Sequence, residues 1–145
     1  MKVRLLTLTA MLAISVLAGM AQGRFNPSKF KAEMHNYIIQ EAKLTKSEAD
    51  KFFPLFDEMK RKQHELHREK HQLMKTPPKS DAACKSVILK RDNLEIEMKK
   101  IEREYHQKFQ TVLPATRVYD ILEAERRFHR TALKKVANRP RPSKR

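Results

Sequence analysis

Three histidines, His64, His67 and His71, recur at intervals of three and four in the stretch "HELHREKH". Imidazole nitrogen ligates zinc and its neighbours, so metal binding is the first chemistry this spacing raises. On a helix the three fall within about a 60° arc. Neighbours three or four apart can share one ion, but His64 and His71 stand roughly 10 Å apart along the axis and cannot. His106, a glutamate or a second subunit would have to complete a site. The metalloprotease pattern His-Glu-x-x-His is not met, because the second histidine comes one residue early. Three histidines among many lysines also describe an ordinary solvated face, and the sequence assigns no metal and no other cofactor.

Other catalytic chemistry finds little to build on. Glu95/Glu97 and Glu102/Glu104 have lysines or arginines at helical spacing and read as surface ion pairs. No serine or cysteine has a recognisable base partner. Both glycines, Gly19 and Gly23, lie near the N-terminus. The remaining chain therefore lacks glycine for hairpins, nucleophile elbows or phosphate-cradling loops. The expectation is a protein that is not an enzyme.

A binding surface fits the composition better. Phe52, Phe53, Phe56, Met59, Met98, Tyr105 and Phe109 could supply adaptable apolar contacts, and Lys60, Arg61, Lys62, Arg68 and Lys70 the charge. The same aromatics at helical spacing could equally be an ordinary core.

The elements that must position these residues follow from caps and periodicity. A first helix starts at Asn26 with Pro27 in its first turn, and places Phe30, Met34, Tyr37 and Ile38 on one face, broadened by Ile39 and Ala42. A second starts at Thr45, with Glu48 completing a capping box and Leu44 just outside, and runs to about Lys75 before "TPPKSD". Pro54 removes one backbone hydrogen bond inside it, which predicts a bend near Asp50 to Pro54. Its stripe is Phe52, Phe56, Met59, Leu66 and Leu73, interrupted by Gln63 and Lys70. A third helix runs from a Ser80 or Asp81 cap to about Val112, with Val87, Leu94, Met98, Ile101, Tyr105 and Phe109 on one face and Arg91 breaking it. A fourth begins around "LPATRVYDIL" and carries Val118, Ile121, Leu122 and Phe128, with Lys134 and Lys135 at its negative end. Helices two and three, at about 30 residues or roughly 45 Å each, are long for thin stripes. The fold class expected is all-α: an extended antiparallel hairpin with additional helices, about four in all, in a homodimer that covers the apolar surface left over.

The ends add context. Lys2 and Arg4 precede the apolar run Leu5 to Gly19, and small residues allow cleavage after Ala21 or Gly23, so residues 1–21 read as a secretion signal. The run is shorter than the ~20 residues of a spanning helix. "VLAGM" has Met20 where a lipidated cysteine would be required, which disfavours a lipoprotein. Residues 22–137 form one domain, and 138–145, "NRPRPSKR", a disordered basic tail. The formal charge is +15. In the cytoplasm that would point to nucleic acid; export removes this partner and favours acidic polypeptides or anionic lipid. Excess charge can also serve only solubility. Cys84 stands alone, either a small buried residue or a link across a dimer.

Leu44-Thr45-x-x-Glu48 opens one long helix, and Leu113-Pro114-x-x-Arg117 opens another after two long helices. In a small, exported, basic, all-α chain this pairing resembles the Spy/CpxP family of periplasmic proteins, whose signature is a repeated Leu-Thr-x-x-Gln. Glu48 replaces the first glutamine, which capping-box chemistry tolerates. Pro114 and Arg117 replace threonine and glutamine in the second copy, where no side-chain box can form. The resemblance implies a cradle-shaped periplasmic homodimer that acts as an ATP-independent chaperone for unfolded or partly folded proteins, or as a stress adaptor. A regulatory partner of a sensor domain, responsive to zinc, nickel or cobalt, is the alternative. A basic structural protein making weak contact with anionic envelope lipid is the third.

Overall fold

The computed structural model describes residues 26–138. Four helices account for nearly all of them: α1 (Pro27–Glu41), α2 (Lys46–Leu73), α3 (Asp81–Val112) and α4 (Ala115–Ala137), with no strand among the described residues. The expected all-α class is therefore the observed one. The proposed signal, its cleavage site and residues 139–145 of the tail lie outside the described residues. The chain divides into two compact units, Met1–Ala32 and Glu33–Arg145. Of the first, only the opening of α1 is described.

Three of the four helices begin where a side chain supplies an orphan N–H group with an acceptor. The Asn26 side-chain oxygen accepts from the Lys29 N–H at 3.1 Å. The Thr45 hydroxyl accepts from the Glu48 N–H at 3.2 Å while a Glu48 carboxylate oxygen accepts from the Thr45 N–H at 2.8 Å, a complete capping box. Ser80, not Asp81, caps α3 through the Ala83 N–H. Pro114 is itself the cap of α4, in an extended conformation with no side-chain bond, so the first helical residue is Ala115. α2 continues through Pro54 without a break in its helical backbone and ends at Leu73, two residues short of expectation. Replacing Thr45 by alanine is expected to cost about 1 kcal/mol, read as a lowered denaturant midpoint with an unchanged slope.

The turn between α1 and α2 shows what the shortage of glycine entails. Leu44 N–H bonds to the Ile39 carbonyl at 3.0 Å, the six-to-one bond of a Schellman ending. The residue between the cap and that bond must be left-handed, and Lys43 takes the position at φ 50°. Glycine would occupy it without the Cβ clash that lysine accepts.

Within Glu33–Arg145, α2 and α3 form an antiparallel pair: Phe52 meets Phe109 near one end and Lys70 meets Glu95 near the other. α1 turns back along the first half of α2, placing His35 against Phe53 and Asp57. α4 crosses both, touching α1 through Phe128 and Tyr37 and α2 through Glu125 and Lys60. The core gathers at this four-helix end. It contains Met34, Ile38, Ala42, Leu44, Ala49, Phe52, Phe56, Met59, Tyr105, Phe109, Leu113, Val118, Ile121 and Ala124. From Lys60 through Glu104 only Leu94 is buried, so the rest of the α2–α3 pair is a two-helix arm with a half-covered seam of Leu66, Leu73, Val87, Met98 and Ile101.

Candidate functional site

The apolar residues expected to form an accessible binding surface lie mostly inside. Phe52, Phe56, Tyr105 and Phe109 are completely buried and Met59 nearly so. The physical reason is geometric. These side chains share the faces on which α2 and α3 meet, and α1 and α4 close over them. Phe53 is half-buried, its ring stacked on His35 with centroids 4.0 Å apart, and Met98 is half-buried in the arm seam. These five buried residues are therefore the core and not a surface for partners.

The basic residues named with them are distributed differently. Lys60 pairs with Glu125 of α4 and lies 5.2 Å from the Phe56 ring centre. Lys62 stands 5.2 Å from the Tyr105 ring centre, and Lys108 covers the same ring at 4.4 Å. Lys70 bridges to Glu95 at 2.6 Å and lowers the pKa of that carboxyl, first by hydrogen bonding and then by charge. Arg61 holds Glu65 on its own helix at 2.7 Å, and both Arg61 and Arg68 are exposed. Much of this charge thus serves inter-helix packing.

His64, His67 and His71 are exposed along α2, while His106 is half-buried with its ring 6.0 Å from that of Phe109. Among the described residues no three His, Cys, Asp or Glu side chains group closely enough to hold a metal ion. Cys84 is half-buried, short of the full burial expected of an apolar core residue.

The two motif copies meet. Leu44 and Leu113 are both core residues. The Arg117 guanidinium donates to the Ala42 carbonyl at 2.7 Å and lies 3.4 Å from a Glu48 carboxylate oxygen. Arg117 thereby ties the start of α4 to the α1–α2 turn and to the capping box. Hydrogen bonding from the Thr45 backbone, and then from the Thr45 hydroxyl and Arg117, holds the Glu48 carboxyl below its ordinary pKa. Glu48 and Arg117, the last positions of the two motifs, are thus a complementary pair, a relation that spacing in the sequence could not show.

Two further polar clusters were not legible in the sequence. The His35 ring nitrogen Nε2 lies 2.9 Å from an Asp57 carboxylate oxygen, linking α1 to α2 beside Phe53. Glu125, only 13 % exposed, receives Lys60 from α2 and lies 3.4 Å from His129 one turn along α4. Burial pushes the Glu125 carboxyl up, but hydrogen bonding to His129 and the Lys60 charge outweigh it, and its pKa is lowered. An unfolded glutamate binds its proton at about pH 4.3, so acid favours the unfolded chain. Glu125 then stabilises the fold above that pH and loses the effect as pH falls through its lower folded value. Glu125→Gln is expected to melt at lower temperature than wild type near neutrality, with the gap closing below about pH 4. A gap that stays constant to acid would contradict this role.

Apolar surface is present elsewhere. Leu89 and Ile96 are 63 % and 53 % exposed. Each comes two residues after a seam or core position, Val87 and Leu94, which places it about 200° round α3 and away from α2. Seven residues apart, they form a stripe along the back of α3, extended at the side by Ile88. Lys85, Lys99, Lys100 and Arg103 border it. Lys85, Lys99 and Lys100 each have a carboxylate partner within a turn, at 2.9, 2.6 and 3.5 Å, while Arg103 has no ion-pair partner among the described residues. A search for one stripe per helix misses this second one, although the seven-residue spacing of Leu89 and Ile96 is visible in the sequence.

These residues define an all-α protein with a four-helix core and a two-helix arm. Comparison with known protein families, characterised proteins and solved structures found no match. No helix among the described residues is long and apolar enough to cross a membrane.

Proposed function

We propose that this chain is an exported, ATP-independent chaperone-like or stress-adaptor protein of the Spy/CpxP type, holding unfolded or partner polypeptides on the arm. The observation that carries the reading is the uncovered apolar stripe Leu89–Ile96 with its basic border, on helices whose other faces are already used. A core residue is exposed only at a cost, whereas large apolar side chains set among cations and the carboxylates of Asp92, Glu95 and Glu97 suit weak contact with many apolar and charged segments. The interlocked pair Glu48 and Arg117 supports the family reading, because it joins the two motif copies in one structural unit.

The test is aggregation of a chemically denatured model protein on dilution, with and without the purified chain. Suppression at near-stoichiometric amounts, without nucleotide, is the expected result. No suppression at a several-fold excess would overturn the chaperone reading. Capture from envelope extract separates the two forms of the proposal: many unfolded proteins identify a chaperone, and one dominant folded partner identifies an adaptor.

A further inference from the structure

The last turns of α4 carry a feature that polypeptide holding on α3 does not use. Val118 and Leu122 face inward, Val118 as part of the core and Leu122 packed against it. Val136 lies eighteen residues, five full turns, beyond Val118, and Leu133 follows Leu122 by eleven, about three turns. The inward stripe of α4 is therefore continued by Leu133 and Val136, yet these are 71 % and 62 % exposed. Ala132, at the edge of the same face beside Val136, is half-buried.

The charge around this uncovered end is one-sided. From Arg126 to Arg145 there are nine lysines and arginines and no aspartate or glutamate. Arg126 and Arg127 are engaged by Glu123 and Glu41, at 2.6 and 3.2 Å. Lys134 and Lys135 enter no ion pair among the described residues. On the helical wheel, Arg130 and Lys135 stand on opposite sides of the sector formed by Ala132, Leu133 and Val136, with Lys134 behind. The sequence then continues with four more cations in eight residues, Asn138 to Arg145.

We infer that the C-terminal end of α4 docks onto an anionic lipid bilayer surface. An apolar sector bounded by cations is the pattern of a helix lying in the membrane interface, with its aliphatic side chains among the upper acyl chains and its ammonium groups at the phosphates. Juxtaposed cations add roughly equal increments of affinity at such a surface. A nucleic acid would use the charge but would leave Leu133 and Val136 exposed, and this segment offers no exposed aromatic ring to stack on bases. A folded acidic protein would have to match a convex helix with cations on several sides. A flat, uniformly charged surface meets that arrangement without special shape. The inference does not depend on the chaperone reading, which uses α3.

The experiment is co-sedimentation of the purified protein with two kinds of vesicle. One is phosphatidylcholine alone and the other contains phosphatidylglycerol as a minority lipid. Wild type is expected to bind the anionic vesicles at least about tenfold more strongly, with affinity falling as salt is raised. Lys134→Glu with Lys135→Glu should weaken binding at least about tenfold, and Leu133→Ser with Val136→Ser by about threefold to tenfold. All four positions are exposed, so circular dichroism of each variant should match wild type. Equal binding to both vesicles would overturn the inference. So would anionic binding that is indifferent to Leu133→Ser with Val136→Ser, because that outcome assigns the interaction to charge alone. Binding of duplex DNA as tight as that of the anionic vesicles, and equally indifferent to the serine variants, would replace lipid by a general polyanion.

Discussion

Phe109→Ala is expected to destabilise the protein by about 3–5 kcal/mol, the range for removing a fully buried phenylalanine. Phe109 is completely buried, and its ring lies 4.8 Å from that of Phe52, 6.4 Å from Phe56 and 6.3 Å from Tyr105. It is the residue of α3 that joins the aromatic cluster of α2, so truncation opens a cavity between two helices at once. The surrounding rings are held by α1 and α4 and cannot close in freely. A domain of this size has a total stability of about 5–15 kcal/mol, and its core is confined to one end. Loss of a third or more of that margin should lower the melting temperature by more than about 10 °C. Ile88→Ala, at an exposed position of the same helix, should change it by no more than about 0.5 kcal/mol. A Phe109→Ala protein that melts within a few degrees of wild type would mean that the aromatic cluster is not the core.

Helix existence and type were legible because the chain marks its own starts. Asn26-Pro27, Thr45 with Glu48, and Ser80 each supply the side-chain acceptor or fixed φ that a helix N-terminus requires, and each is used as its chemistry suggests. The ends were less legible. α2 stops at Leu73 rather than Lys75, because Met74 closes the helix through bonds to His71 and Gln72 before the prolines are reached. Lys43 gave no signal of its left-handed conformation, since lysine is indifferent in sequence and only the geometry of the turn forces it there.

The candidate site was less legible than the fold. A stripe of Phe52, Phe56, Met59, Tyr105 and Phe109 at helical spacing says that one face is apolar, not whether another helix covers it. Coverage depends on α1 and α4 folding back, which is tertiary information. The pairs His35 with Asp57, Lys60 with Glu125 and Glu48 with Arg117 join residues from 22 to 69 positions apart, and no local period announces them. By contrast, Leu89 and Ile96 carried a readable signal. Large aliphatic residues two places after Val87 and Leu94 cannot share their face, so a second apolar stripe was implied once the first had been assigned.

Leu89→Lys with Ile96→Lys should abolish most of the ability to suppress client aggregation while leaving the fold intact. The design separates the two attractions the proposal invokes. Both substitutions raise the positive charge, so long-range attraction of acidic segments is preserved or increased. What disappears is the apolar surface on which an unfolded segment would rest, at positions 63 % and 53 % exposed that contribute little to the core. Stability should therefore move by no more than about 0.5 kcal/mol. The amount of protein needed for half-suppression should rise by about tenfold or more, since each fully covered aliphatic side chain is worth roughly 1.5–3 kcal/mol. Arg103→Glu, at the border of the same stripe, should act differently by slowing capture and changing its salt dependence with a smaller effect on the endpoint. If the double lysine variant suppresses aggregation as well as wild type, the back of α3 is not the holding surface. If instead only the charge change matters, the protein attracts its partners without holding them on apolar contacts.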